Sequence, residues 1–150
     1  MHRSGLVAVP AIALLVVATI GSISNAAPGS GGPSPWISVS GPGNTAIPDN
    51  NSTGVAVSMV IGDQSLMTAN QVCVDITHPY RGDLAVSVLH NGATQVLVAN
   101  QGGSADDIKQ CFTVTRWIGQ EAGGYWMLRV VDNAAQDVGR LNGWTVMYRR

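Results

Sequence analysis

His78-Pro79-Tyr80-Arg81-Gly82-Asp83-Leu84 and Asp132-Asn133-Ala134-Ala135-Gln136-Asp137-Val138-Gly139-Arg140-Leu141-Asn142-Gly143-Trp144 are the two stretches on which the fold turns. In the first, Gly82 and Asp83 are turn residues, and the chain runs from them straight into the alternating Leu84-Ala85-Val86-Ser87-Val88-Leu89-His90. Gly and Asp are needed at such a strand start for backbone reasons alone. The second is a D-x4-D-x-G-x-L-N-x-W connection between two further apolar alternations, Tyr125 to Val131 and Trp144 to Tyr148.

Outward from these, apolar residues recur at every second position, the mark of half-buried strands. Val55, Val57, Met59 and Ile61 share one parity, and Val72, Val74 and Ile76 oppose Cys73, Asp75 and Thr77. Leu84 to His90 and Thr94 to Ala99 flank Asn91-Gly92, whose tolerance of positive φ makes it a strong hairpin signal. Cys111 to Thr115 adds another strand, and no helix of useful length and no internal repeat is predicted. The pattern predicts an all-β domain, a jelly-roll-like β-sandwich of about eight mostly antiparallel strands.

Residues 1–26 read as a secretory signal peptide: His2 and Arg3, an apolar run from Leu6 to Ile20, and Ser24-Asn25-Ala26 before the cleavage point. The run is broken by Pro10 and is shorter than the roughly 20 residues of a spanning helix, so cleavage is favoured over an uncleaved anchor. Residues 27–35, APGSGGPSP, form a Gly/Pro/Ser linker, and 36–150 form the domain. Cleavage predicts a secreted, extracellular or periplasmic, product. Without Arg3, 7 Lys and Arg face 9 Asp and Glu. That balance lacks the basic stripe a nucleic-acid partner needs, and it offers no polybasic membrane surface once the signal is removed. In an exported chain the two cysteines, Cys73 and Cys111, are expected to form one disulfide rather than stay as buried thiols. Both lie on the polar parity of their strands, so they are expected to meet across neighbouring strands.

The two quoted stretches together resemble the P domain (P/Homo B domain), the β-sandwich attached to the catalytic domain of kexin- and furin-like subtilisin-type proteases. Gly102-Gly103-Ser104-Ala105-Asp106-Asp107 corresponds to that family's Gly-Gly-Ser-x-Asp segment, and Gly124-Tyr125-Trp126-Met127-Leu128-Arg129-Val130 to its Gly-x-W-x-L-x-V ending. The resemblance covers Gly54 to Tyr148 and implies a β-sandwich. It implies a secreted accessory or stabilising module of serine-type, subtilisin/kexin-like endopeptidase proteolysis, with a subtilisin-like protease or another secreted protein as partner. Catalysis is not carried over by a fold, because function lives in sites. No G-x-S-x-G elbow and no subtilisin-type triad motif is present, and His78 and His90 are the only bases after cleavage, so no catalytic residue and no enzyme activity of its own is expected.

Arg81-Gly82-Asp83 admits two readings, a cell-attachment tripeptide and a structural turn. The second is favoured, with Arg81 expected to pair with a carboxylate. Asp83, Asp132 and Asp137 are candidate calcium ligands, as oxygen-rich loops suit a hard cation and some members of the resembled family bind calcium. The rival function is a free-standing extracellular carbohydrate- or protein-binding module. For it Trp36 and Trp117, which lie outside the core alternation, are the candidate exposed contacts, whereas Trp126, Leu128 and Val130 read as core.

Overall fold

A computed structural model describes residues 32–150 of the chain. Residues 1–26, read as a signal peptide, and most of the expected linker 27–35 lie outside the described residues. Among the described residues there are nine strands: β1 (Ile37–Gly41), β2 (Thr45–Ile47), β3 (Asn51–Ile61), β4 (Ala69–Thr77), β5 (Leu84–His90), β6 (Ala93–Ala99), β7 (Ile108–Thr113), β8 (Gly124–Asp132) and β9 (Gly139–Arg149). A single 3-10 turn, Arg81–Asp83, is the only helical element among the described residues. One sheet runs β1-β9-β4-β7, with β2 also on β9, and the other runs β3-β8-β5-β6. The pairings between strands are antiparallel.

The period-2 alternation sets which side chains meet between the sheets. Val72, Val74 and Ile76 of β4 and Leu141, Trp144, Val146 and Tyr148 of β9 face Leu84, Val86 and Val88 of β5 and Trp126, Leu128 and Val130 of β8 in one buried core. Asn91 and Gly92 both have positive φ (49° and 71°), which closes the β5–β6 hairpin as expected.

Leu141 and Trp144 are three positions apart, yet both are buried, which strict alternation forbids. A bulge resolves this: Gly143 pairs with Asp75 while Leu141 pairs with Ile76, so Asn142 is the extra residue. Its side-chain amide donates to Asp75 Oδ1 at 2.9 Å and Thr77 Oγ1 at 2.8 Å, pinning the bulge. The Leu-Asn-Gly-Trp segment is thus the sequence of a strand bent to bury two large side chains.

Candidate functional site

One end of the sandwich is built from the turn before β5, the 100–107 loop and the start of the 132–139 connection. The backbone of the Arg81–Asp83 turn is bound on all sides. Arg81 N donates to Ala105 O and Gly82 N to Gly103 O, each at 2.9 Å, and Asp83 N donates to Tyr80 O at 3.2 Å. Asp83 O accepts from Asn133 N and from the side-chain amides of Asn100 and Asn133. Gly82 is closely packed: a Cβ there would lie 3.0 Å from Gly103 Cα, so the neighbouring loop would have to give way. Arg81-Gly82-Asp83 is therefore a folded turn clasped to the Gly-Gly-Ser loop.

Arg81 itself departs from expectation. Among the described residues it forms no ion pair, and its Nε is buried without a partner. The side chain instead lies against Gly102, where a Cβ would come within 2.6 Å of Arg81 Cδ and Nε. The role foreseen for an Arg–carboxylate pair is taken by backbone hydrogen bonds between the two loops.

Beneath this turn lies a buried polar pair. His78 and Asp132 are both fully buried, with His78 Nε2 3.2 Å from Asp132 Oδ2. Tyr80 N donates to His78 Nδ1 at 3.1 Å, so Nδ1 is the acceptor and Nε2 carries the proton given to Asp132. Asp132 Oδ1 accepts from Ala134 N at 3.1 Å. His78 N donates to Asp107 Oδ1 at 3.0 Å and its carbonyl accepts from Asp107 N at 2.8 Å, which ties the 100–107 loop to the same histidine.

This arrangement bears on the three candidate calcium ligands. The ladder pairs Leu84 with Asp132, so Asp83 and Asp132 do meet at one end through their backbones. Asp132, however, points inward, and both of its oxygens are engaged by His78 and Ala134. No group of three or more His, Cys, Asp or Glu able to hold a metal ion occurs among the described residues.

At the opposite end His90 is buried, stacked on Trp126 at 3.9 Å between ring centroids and edge-on to Trp117 at 5.6 Å. Its ring nitrogens lie 3.1 Å from the carbonyls of Tyr125 and Glu121. Neither His78 nor His90 presents a ring nitrogen to solvent. Trp117, expected as an exposed contact, is fully buried, because the 114–122 loop folds its indole back over Trp126 to close the core. Trp36 is half-buried, with the Arg149 guanidinium 4.5 Å over its ring.

Cys73 and Cys111 are disulfide-bonded across β4 and β7 at directly opposed positions of the ladder, as their shared polar parity predicts. Two shallow recesses lie on the surface. One, of ≈ 210 Å³, is lined by Ser87, Leu89, Thr94, Met127 and Arg129, and the other, of ≈ 260 Å³, opens beside Cys73.

The family described as proprotein convertase P-domain matches residues 67–148. The chain belongs to the proprotein convertase P-domain family. The chain is 42% identical over 113 residues to leupeptin-inactivating enzyme 1 of Streptomyces exfoliatus, covering 70% of this chain and 25% of that protein. It is 34% identical over 110 residues to a calcium-dependent protease of Nostoc, covering 67% of this chain and 17% of the relative. It is 33% identical over 105 residues to the transglutaminase-activating metalloprotease of Streptomyces mobaraensis, covering 69% and 14%. Among solved structures, the serine protease of Aeromonas sobria in complex with its chaperone superposes with a TM-score of 0.55 at 18% identity, over 76% of this chain and 26% of that one. The chain thus spans a quarter or less of these curated relatives. The P-domain is the shared part, and the clasped turn and its buried His78–Asp132 pair lie within the matched residues.

Sequence reasoning missed the His78–Asp132 pair. Its signal was present: His78 directly precedes the turn and Asp132 ends β8, and the turn residues Arg81–Asp83 bring these two ends of the sheets together.

Proposed function

We propose that this P-domain is a secreted, non-catalytic module that binds and stabilises a serine-type, subtilisin-like endopeptidase. The observation that carries this reading is the family membership: the curated relatives that share the domain are proteases in which it makes up a quarter or less of the length. Two features agree with a role without chemistry. Both histidines of the domain are spent on internal hydrogen bonds, and the recesses are shallow. Export agrees with the disulfide and with the leader-like composition of residues 1–26. Two of the relatives are named calcium-dependent proteases; the Asp132 carboxylate is already engaged by His78 and Ala134, so this reading does not run through calcium.

Purified protein, immobilised and exposed to the culture supernatant of its source organism, should retain an endopeptidase identified by mass spectrometry. That endopeptidase should melt at higher temperature with the module than without it, because a ligand of the folded state stabilises by mass action. Turnover of peptide substrates by the purified module alone would refute the non-catalytic role. A captured protease with an unchanged melting temperature would refute stabilisation.

A further inference from the structure

We propose that the Cys73–Cys111 bridge is a thiol-exchange site of the folded domain, open to an attacking thiolate at Sγ of Cys111 and shielded at Sγ of Cys73. The bridge lies on the outer face of its sheet, away from the core. Cys111 is exposed and Cys73 half-buried. The attacker, the attacked sulfur and the leaving sulfur of an exchange must lie nearly in line, so each sulfur is reached only from the side opposite its partner.

For Cys111 that side lies beyond β7, an edge strand whose only ladder partner among the described residues is β4. Lys109, two residues along the same face and exposed, stands beside this approach, its ammonium 3.9 Å from Asp107 Oδ2 and Asp75 its register partner on β4. For Cys73 the line of attack passes over β9, where Met147 Sδ sits 3.6 Å from Cys73 Sγ.

The strand pair has contacts besides the bridge. Six register pairs, from Gln71–Thr113 to Ile76–Ile108, join β4 to β7, and Val72, Ile76 and Ile108 are buried on its inner side. The expectation is that these contacts keep β7 on β4 with the bridge open. Cys73 is half-buried rather than fully buried, so the released thiolate can still take a proton from water.

The step balances with one thiol as co-reactant. A thiolate forms a bond to Sγ of Cys111, the Sγ–Sγ bond breaks, and its electron pair leaves on Sγ of Cys73, which takes a proton from water. A second thiol displaces Cys111 from the mixed disulfide. The net change is reduction of the bridge and oxidation of two thiols to a disulfide.

The test uses the oxidised protein and reduced glutathione at about pH 8, where an ordinary thiol is substantially ionised. After an iodoacetamide quench, peptide mapping should find glutathione on Cys111 and the alkyl group on Cys73. The Cys111 adduct should exceed the Cys73 adduct by about tenfold, under conditions that leave the far-UV circular dichroism spectrum unchanged. In Met147→Ala, glutathione should also appear on Cys73. Adducts in equal yield at the two cysteines, or adducts formed only in denaturant, would overturn the proposal. An unchanged preference in a folded Met147→Ala protein would overturn the shielding by Met147.

Discussion

His78 Nε2 donates to Asp132 Oδ2 at 3.2 Å with both side chains fully buried, which links the end of β4 to the end of β8 across the two sheets. The first prediction concerns this pair. Removing the donor of a buried hydrogen-bonded pair leaves the carboxyl group of Asp132 desolvated and short of a partner, at a cost of about 1–3 kcal/mol. His78→Ala should lose stability of this size in urea denaturation. It should also loosen the Tyr80 and Asp107 contacts, seen as faster amide exchange in the 100–107 loop. A loss smaller than that of an ordinary surface substitution would show that the pair is not needed.

Much of the sandwich was legible because alternation is a local property. Val72, Val74 and Ile76, the Asn91-Gly92 hairpin and the inward set of Trp126, Leu128 and Val130 all follow from period-2 spacing, and so does the meeting of Cys73 with Cys111. Where the period stops, the reading stops too. Trp117 sits in a loop, so nothing in its spacing tells that it folds onto His90 and Trp126. Strands β1 and β2 are short and are separated by Gly41-Pro42-Gly43-Asn44, and their pairing with β9 is set by distant residues. The partner of His78 is likewise a matter of topology, since Asp132 is brought to it only when β8 lies beside β5.

Arg81 and Gly102 should respond in the opposite order to what the tripeptide suggests. Arg81 has no carboxylate partner among the described residues, so Arg81→Ala loses packing against Gly102 and should cost no more than about 1 kcal/mol. Gly102 has φ 108°, and a Cβ there would meet Arg81 at 2.6 Å. Gly102→Ala should therefore cost about 1–3 kcal/mol from backbone strain. Thermal unfolding of the two variants side by side distinguishes the cases, and a larger loss in Arg81→Ala would restore a carboxylate pair.

Calcium should leave the domain unmoved. The carboxylate of Asp132 is spent on His78 and Ala134, and calcium needs six to eight oxygen ligands. Melting curves recorded in chelator and in millimolar-range calcium should coincide. A rise with calcium would show that this domain assembles oxygen ligands other than those three aspartates, since an ion bound only by the folded state must stabilise it.

The last prediction is a stability profile with losses at both extremes of pH, traced to one contact. Tyr148 Oη donates to Asp63 Oδ2 at 2.9 Å, and Arg150 Nη1 lies 3.7 Å from the same oxygen. Hydrogen bonds from Ser65, first from its hydroxyl and then from its backbone N–H, hold the Asp63 carboxyl below its ordinary value. Tyr148 and Arg150 add to this and partial burial opposes it. A lowered value in the folded state means the unfolded chain binds more protons in acid, so this stabilisation is present above about pH 4 and is lost as pH falls further. Tyr148 shifts the other way: burial first, and then its bond to the Asp63 carboxylate, push its phenol above the ordinary value of 10.0. The folded state then keeps a proton that the unfolded chain gives up, so stability is full below about pH 10 and declines as pH rises beyond it. Tyr148→Phe should cost about 1 kcal/mol at neutral pH through the lost hydrogen bond. It should also remove this residue's share of the alkaline decline and shrink the acid one. Urea midpoints measured across the pH range for both proteins test this, and an alkaline limb identical in the wild type and Tyr148→Phe would place the titrating group elsewhere.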